Sequence, residues 1–136
     1  MRHAARRWAA PFLVFAAFAA FFGELHARSG GLTDHDGYYH ARLAQMLPSR
    51  GFSRSFPWTQ ASPWKDSFCD KEALYHVLLA PFARGPEPVK GAMVFASLLG
   101  AAVFAGFYLL LRSERAPAPW AFVMLLGGAA GPFLLR

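Results

Sequence analysis

The chain has 136 residues, the length of one small domain, and carries a formal charge of +6. Hydrophobic residues make up 55% of it and charged residues 16%, whereas soluble domains carry about 25% charged residues. This composition excludes a mainly disordered chain, because disordered chains are rich in charge and poor in aromatic residues. A single cysteine, Cys69, excludes a scaffold of disulfide bonds.

The positive charges are placed as in a membrane protein. Five of the fourteen Lys and Arg residues flank apolar runs, before the first run or between the last two: Arg2, Arg6, Arg7, Arg112 and Arg115. We therefore expect a lipid bilayer, and no nucleic acid, as the partner of this chain.

Three runs of uncharged residues are long enough, or nearly so, to cross a bilayer. A helix needs about 20 residues to cross a hydrocarbon core of ~30 Å. Only structures that pair all their backbone hydrogen-bonding groups internally, such as helices, can cross it. The sequence therefore predicts an all-α membrane protein with three transmembrane helices, over residues 8–24, 91–111 and 116–136. Prolines and the pair Gly127-Gly128 weaken the third helix.

The excess of Lys and Arg in short cytoplasmic segments predicts the orientation. Residues 1–7 and the turn 112–115 would be cytoplasmic, and residues 25–90 would form a large first external loop. These features predict an integral protein of a bacterial inner membrane. A cleaved signal peptide with its apolar region at 11–22 is the alternative, although Leu25-His26-Ala27 is a poor cleavage site.

The external loop contains two segments with helical periodicity, over 36–47 and 71–83. Both are too short to span, so we expect interfacial helices. Asp70 is predicted to cap the second helix. Tyr75 and His76 are predicted to pack against lipid or membrane helices.

The acidic motif at 34–42 contains the residue types that bind a divalent cation. Asp34 and Asp36 offer oxygen ligands suited to Mg²⁺ or Mn²⁺, and Tyr38 and Tyr39 offer rings for stacking. The alternative is a helix N-terminus, in which Thr33 and Asp36 form a capping box and the carboxylates face the positive helix end.

The run DGYYHAR at 36–42, preceded by Asp34, resembles the first acidic motif of oligosaccharyltransferase catalytic subunits. These are polytopic membrane glycosyltransferases of the GT-C class. The topology predicted for residues 1–115 is also similar to that of the family. The resemblance implies that Asp36, with Asp34, holds a catalytic divalent metal and contacts the acceptor. It implies that Arg42, Tyr38 and Tyr39 bind the substrate.

Members of that family are several times longer than 136 residues. They carry a second acidic external loop and a soluble C-terminal domain that have no counterpart here. The resemblance therefore implies the N-terminal portion of an enzyme that transfers a sugar or oligosaccharide from a polyprenyl-phosphate-linked donor at the external membrane face. We expect no turnover by this portion alone. The acceptor, and inversion or retention at the sugar, stay open.

The alternative is a small, non-enzymatic three-span membrane protein whose loop docks a partner. Other polar residues of the loop have two interpretations each. His35, His40 and His76 could bind metal or move protons, or could simply be solvated. Arg50 and Arg54 could bind a lipid-linked pyrophosphate or contact lipid headgroups.

Overall fold

A computed structural model describes residues 2–32, 34–56 and 59–134 of the chain. Within these ranges it is entirely helical and contains no β-strand, which confirms the all-α prediction. Five α-helices and one 3-10 helix follow in chain order: α1 (Arg2–Ser29), α2 (His35–Arg50), the 3-10 helix (Pro63–Lys65), α3 (Ala73–Leu79), α4 (Pro88–Ser113) and α5 (Pro119–Leu134).

Two helical stretches are long and apolar enough to cross a membrane: Trp8–Ser29 of α1 and Pro88–Ser113 of α4. At 1.5 Å per residue they reach about 33 and about 39 Å, which exceeds a ~30 Å hydrocarbon core. Both extend beyond the predicted ranges 8–24 and 91–111. The third apolar stretch, Pro119–Ala129 of α5, is shorter than a span over the described residues.

The chain divides into two compact units. The first comprises Met1–Thr33 and Ala96–Arg136, and its core is mainly aromatic. Phe22, Phe104 and Tyr108 are buried there together with Val123. The rings of Phe18 and Phe104 stack with centroids 3.9 Å apart. The many phenylalanines of the composition thus supply the contacts between these helices.

The second unit is Asp34–Phe95. Its helices α2 and α3 pack against each other, and the fully buried side chains of α2 are small. Ala41 and Ala44 are buried on α2, and His76 and Leu79 are buried on α3. A small side chain lets two helix backbones approach closely, so the buried imidazole of His76 comes within reach of α2.

Local sequence explains where α2 and α3 begin and end. The Asp34 carboxylate accepts the backbone N–H of Asp36 at 3.1 Å and starts α2. Gly51, with φ of 67°, donates its N–H to the Leu47 carbonyl and ends it. Pro81 follows Ala80, the C-cap of α3, and has no N–H to continue that helix. As a result α3 is shorter than the predicted 71–83, and α2 is longer than 36–47.

The start of α4 lies against the turn that follows α3. A Cβ at Gly91 would come within 1.8 Å of the Phe82 carbonyl oxygen. Only glycine therefore permits this approach. The contact places the first turns of α4 beside α3 within the second unit, where Phe95 also packs on Tyr75.

Candidate functional site

A cavity of about 300 Å³ lies in the second unit, beside the first turns of α2. Asp36 and Tyr39, two of the residues predicted for the site, line it together with His40. Most of the other lining side chains are aromatic or charged, and they come from the loop between α2 and α3: Phe56, Trp64, Phe68, Cys69, Lys71 and Glu72. A carboxylate, a lysine and flat apolar rings are thus combined in one concave surface, as in many small-molecule sites.

Asp34 has a defined local role. Its side chain accepts the backbone N–H of Asp36 and is exposed. Asp34 is therefore the N-cap of α2, a position that the sequence pattern had given to Thr33 in a capping box with Asp36. The proposed capping residue Thr33 lies outside the described residues.

Tyr38 and Arg42 are not among the described residues that line the cavity. Tyr38 is exposed, and Arg42 donates to the side-chain oxygen of Gln45. The amide of Gln45 in turn donates to the Gly85 carbonyl at 2.7 Å. The structure thus brings Asp36 and Tyr39 to one cavity and places Arg42 in a surface network with the turn before α4.

The second unit also contains a hydrogen-bonded chain of three polar side chains, two of them buried and the third half-buried. His40 Nδ1 lies 2.8 Å from His76 Nε2, and His76 Nδ1 lies 2.7 Å from Asp70 Oδ2. The side chain of His76 is 1% exposed and that of Asp70 9%. We call Asp70, His76 and His40 the relay. Burial of such groups is tolerated because each is hydrogen-bonded to the next.

The relay corrects two predictions. His76 does not pack on lipid or on membrane helices: it is buried against His40 and Asp70. Asp70 is not the N-cap of α3, because that position is occupied by Glu72, which makes no side-chain capping bond. Asp70 instead accepts the Glu72 N–H at 3.1 Å through its other oxygen. One carboxylate therefore fixes both the approach to α3 and the imidazole of His76.

Aromatic rings hold His40 in place. The ring centroids of Tyr39, Tyr75 and His76 lie 5.1, 5.3 and 5.0 Å from that of His40. The two tyrosines meet the imidazole edge to face, a favourable arrangement for aromatic pairs. These contacts restrict rotation of the ring and so favour one orientation of its nitrogens.

Three carboxylates act on the Tyr39 side chain, which lines the first cavity. Burial raises the pKa of the Tyr39 phenol, and the carboxylates of Asp70, Glu72 and Asp36 raise it further. Burial alone raises the pKa of Tyr75. Burial is the larger cause of this pKa shift, and the three carboxylates add a smaller effect of negative charge.

A second cavity, of about 420 Å³, adjoins the other end of the relay. Asp70 and His76 line it, and so do Arg50 and Arg54. The two arginines were considered as ligands of a lipid-linked pyrophosphate. The structure places them together at this second cavity rather than beside Asp36.

Among the described residues, no group of three or more His, Cys, Asp and Glu side chains is arranged to hold a metal ion. The divalent cation at Asp34 and Asp36 stays a prediction. The carboxylates that line the first cavity, Asp36 and Glu72, are hard oxygen donors of the type that Mg²⁺ and Mn²⁺ prefer.

Sequence reasoning missed the relay because it weighed each histidine separately. The signal available was the carboxylate six residues before His76 and a second histidine, His40, at a helical position beside small residues. Only the packing of α2 on α3 joins these positions, which are 36 residues apart.

Comparison with known proteins gives no relative for this chain: no family model, curated protein or solved structure matches it.

Proposed function

We propose that the chain is the N-terminal portion of a membrane glycosyltransferase, one that takes a sugar or oligosaccharide from a polyprenyl-phosphate-linked donor at the external membrane face. The observation that carries the proposal is the cavity beside α2. There Asp36 of the acidic motif lies with Tyr39, Trp64 and Glu72. Aromatic faces suit a sugar ring, and carboxylates suit the cation that accompanies its phosphate.

The proposal treats α1, α4 and α5 as three membrane spans, and α2 and α3 as interfacial helices of the external loop. Its support is the exposure of the apolar residues. Only 11% of the most apolar window of α1 and 28% of that of α4 are buried inside the protein. A helix that is apolar all round needs an apolar covering, and lipid supplies one. The arginines at the N-terminal end of α1 and at the C-terminal end of α4 favour a cytoplasmic N-terminus, in a bacterial inner membrane.

Asp36, with Asp34, would hold a divalent cation, Mg²⁺ or Mn²⁺. When bound, that cation would balance the negative charge of the phosphate leaving group. The side chains of Tyr39 and Trp64 would stack on the sugar, and Lys71 at the same cavity would contact a donor phosphate. Arg42 and Tyr38 would meet the remainder of the substrate from the exposed face of α2.

Cation binding tests the proposal directly. The whole chain would be placed in lipid nanodiscs, and Mn²⁺ would be titrated and followed by electron paramagnetic resonance. The titration would be run with and without a polyprenyl-phosphate-linked sugar in the bilayer. We expect Asp36→Asn to weaken Mn²⁺ binding at least tenfold and the lipid-linked sugar to strengthen binding in the wild type.

Asp66→Asn is the matched control, because Asp66 is an exposed carboxylate of the same loop that is not among the described residues lining the first cavity. It should leave Mn²⁺ binding unchanged. Equal affinities for the wild type and Asp36→Asn, with both proteins folded, would contradict the proposal.

The alternative of a non-enzymatic membrane protein that docks a partner has one observation in its favour. Helix α3 exposes Leu74, Val77 and Leu78 on its surface. An exposed apolar face of this kind is typical of interaction surfaces. Under the enzyme proposal this face contacts lipid, so doxyl-labelled lipids should quench a fluorophore at position 78. If this face binds a protein partner instead, doxyl-labelled lipids should not quench the fluorophore.

A further inference from the structure

We propose that His40 is a proton acceptor facing the cavity, that His76 and Asp70 hold it in the required tautomer, and that its substrate is a hydroxyl group of the sugar acceptor. His40 would be the catalytic base, and His76 and Asp70 would be positioning residues. The hydroxyl as substrate rests on the proposed function. The tautomer and the basic nitrogen rest only on the geometry of the relay.

The protons of the relay can be assigned from its contacts. An ionised carboxylate only accepts hydrogen bonds, so His76 Nδ1, 2.7 Å from Asp70 Oδ2, carries a hydrogen. In neutral His76 the other nitrogen, Nε2, then has a lone pair. His40 Nδ1, 2.8 Å away, therefore donates to it. The remaining nitrogen of a neutral His40, Nε2, must carry the second lone pair.

That lone pair belongs to the side of His40 away from His76. His76 is buried and blocks the Nδ1 side of the ring, while His40 itself is half-buried and lines the cavity beside Asp36 and Glu72. The edge contacts of Tyr39 and Tyr75 keep the ring in this orientation. Nε2 of His40 is thus the nitrogen that we assign to the cavity, and a basic nitrogen held in one orientation is what general base catalysis requires.

The relay also stabilises His40 after it has accepted a proton. The Nδ1–H of the resulting imidazolium keeps its hydrogen bond to His76, and the Asp70 carboxylate at the far end compensates the charge through His76. A carboxylate that orients an imidazole and stabilises its cation has the same role in hydrolase triads. Here a second imidazole lies between the carboxylate and the base.

The proposed step balances as follows. The acceptor O–H bond breaks and its proton moves to His40 Nε2. The acceptor oxygen forms a bond to the anomeric carbon of the sugar while the bond from that carbon to the phosphate oxygen breaks. The phosphate of the polyprenyl carrier leaves with the electron pair, and His40 later returns its proton to solvent.

Nitrogen NMR tests the tautomer on the unmutated protein. The whole chain, labelled with ¹⁵N-histidine in nanodiscs, would be measured at a pH where His40 is neutral. We expect His40 and His76 to carry hydrogen on Nδ1 and to have an unprotonated Nε2. Hydrogen on Nε2 of neutral His40 would overturn the proposal without any mutation.

Chemical modification tests whether the lone pair is accessible and depends on the relay. Diethyl pyrocarbonate acylates unprotonated imidazole nitrogen, and mass spectrometry gives a rate for each histidine. In Asp70→Asn the amide can donate to His76 Nδ1, which reverses both tautomers and removes the lone pair from His40 Nε2. We expect the rate at His40 to fall at least tenfold, and the rate at exposed His35 of the same helix to stay unchanged.

Asp66→Asn is again the control and should leave both rates as in the wild type. An unchanged rate at His40 in folded Asp70→Asn would overturn the proposal. If Asp70→Asn does not fold, the nitrogen NMR measurement of the tautomers in the unmutated protein still tests the proposal. Neither measurement uses a sugar donor or a cation. A confirmed relay combined with no Mn²⁺ response to Asp36→Asn would therefore reject the proposed glycosyl transfer and leave the basic His40 standing.

Discussion

The two units of this chain distribute polar and apolar groups in opposite ways. The first unit exposes many large apolar side chains along its helices, and its buried side chains are mainly aromatic. The second contains a carboxylate and two imidazoles, each hydrogen-bonded to the next. The first follows the rule for a protein surrounded by lipid, while the second follows the rule for a site that must hold charged or polar groups away from water.

The two units therefore differ in how many substitutions their sequences should tolerate. Under the proposed function, lipid covers the apolar surface of α1 and α4, so apolar side chains there can be exchanged for one another. The relay has no such freedom, because an unpaired buried polar group costs more than the hydrogen bond contributes. The following four predictions test this comparison, beginning with the largest effect.

The core of the second unit should be the region most sensitive to truncation. Leu79 of α3 is 0% exposed, whereas Leu74 of the same helix is 73% exposed. We expect Leu79→Ala to lower the free energy of unfolding of this unit by about 4 kcal/mol, through lost burial and the cavity left behind. Leu74→Ala should change it by less than about 0.5 kcal/mol. Hydrogen exchange of the α2 amides would measure both, and equal effects would refute the assigned packing of α3.

Three glycines of α4 should respond differently to alanine. At Gly91 the added Cβ would collide with the Phe82 backbone, so we expect a loss of about 3 kcal/mol from overpacking. At Gly100 it would meet the Phe22 ring at 2.9 Å, and a side chain can move partly away. At Gly106 there is nothing within 4 Å, so alanine should be neutral or stabilising. Unfolding in mild detergent would rank the three variants, and a harmless Gly91→Ala would contradict the close approach.

A charge on the lipid-exposed surface should impair insertion. Val103 is an exposed residue near the middle of α4, and lysine at the centre of a membrane helix costs about 3 kcal/mol. We expect Val103→Lys to reduce the fraction of protein resistant to alkaline extraction from membranes. Ala61→Lys places the same charge on an exposed loop position of the second unit and should leave that fraction unchanged. Full retention of Val103→Lys would place this face of α4 outside the lipid.

Removal of the cap should have the smallest effect. Asp34→Ala deletes the acceptor for the Asp36 N–H, and a lost N-cap costs about 1 kcal/mol. Asp34→Asn keeps an acceptor oxygen and should cost much less. Circular dichroism melting curves of the two variants would separate them. Equal melting temperatures for Asp34→Ala and the wild type would show that the cap does not stabilise α2.

The helical parts of the fold followed from sequence where local chemistry decides. Long uncharged runs predicted α1 and α4, and the acidic motif predicted a helix start near residue 34, although the N-cap is Asp34 and not the predicted Thr33. The lengths of α2 and α3 were less predictable. They depend on the exact residues at which the helices end, Gly51 for α2 and the residues around Pro81 for α3.

The site was only partly predictable. Asp36 and Tyr39 line the cavity, as expected for residues one turn apart on a helix. The predicted environment of His76 was wrong, because an amphipathic helix beside predicted membrane spans indicated contact with lipid or membrane helices. His76 is instead surrounded by Asp70 and His40, and His40 is 36 residues away, so only the packing of α2 on α3 brings it to His76.

The sequence by itself thus determined the helical class, the two apolar helices long enough to span, and the approximate start of α2. Each depends on residues within a few turns of one another, so periodicity and composition suffice. The tertiary structure alone decided that α2 and α3 meet at Ala41 and Ala44, that Gly91 admits the Phe82 backbone, and that Asp70, His76 and His40 form one relay. These are contacts between segments that are distant in the chain. Close packing decides which of these segments meet, and a buried polar side chain must then find its hydrogen-bond partner among its neighbours there.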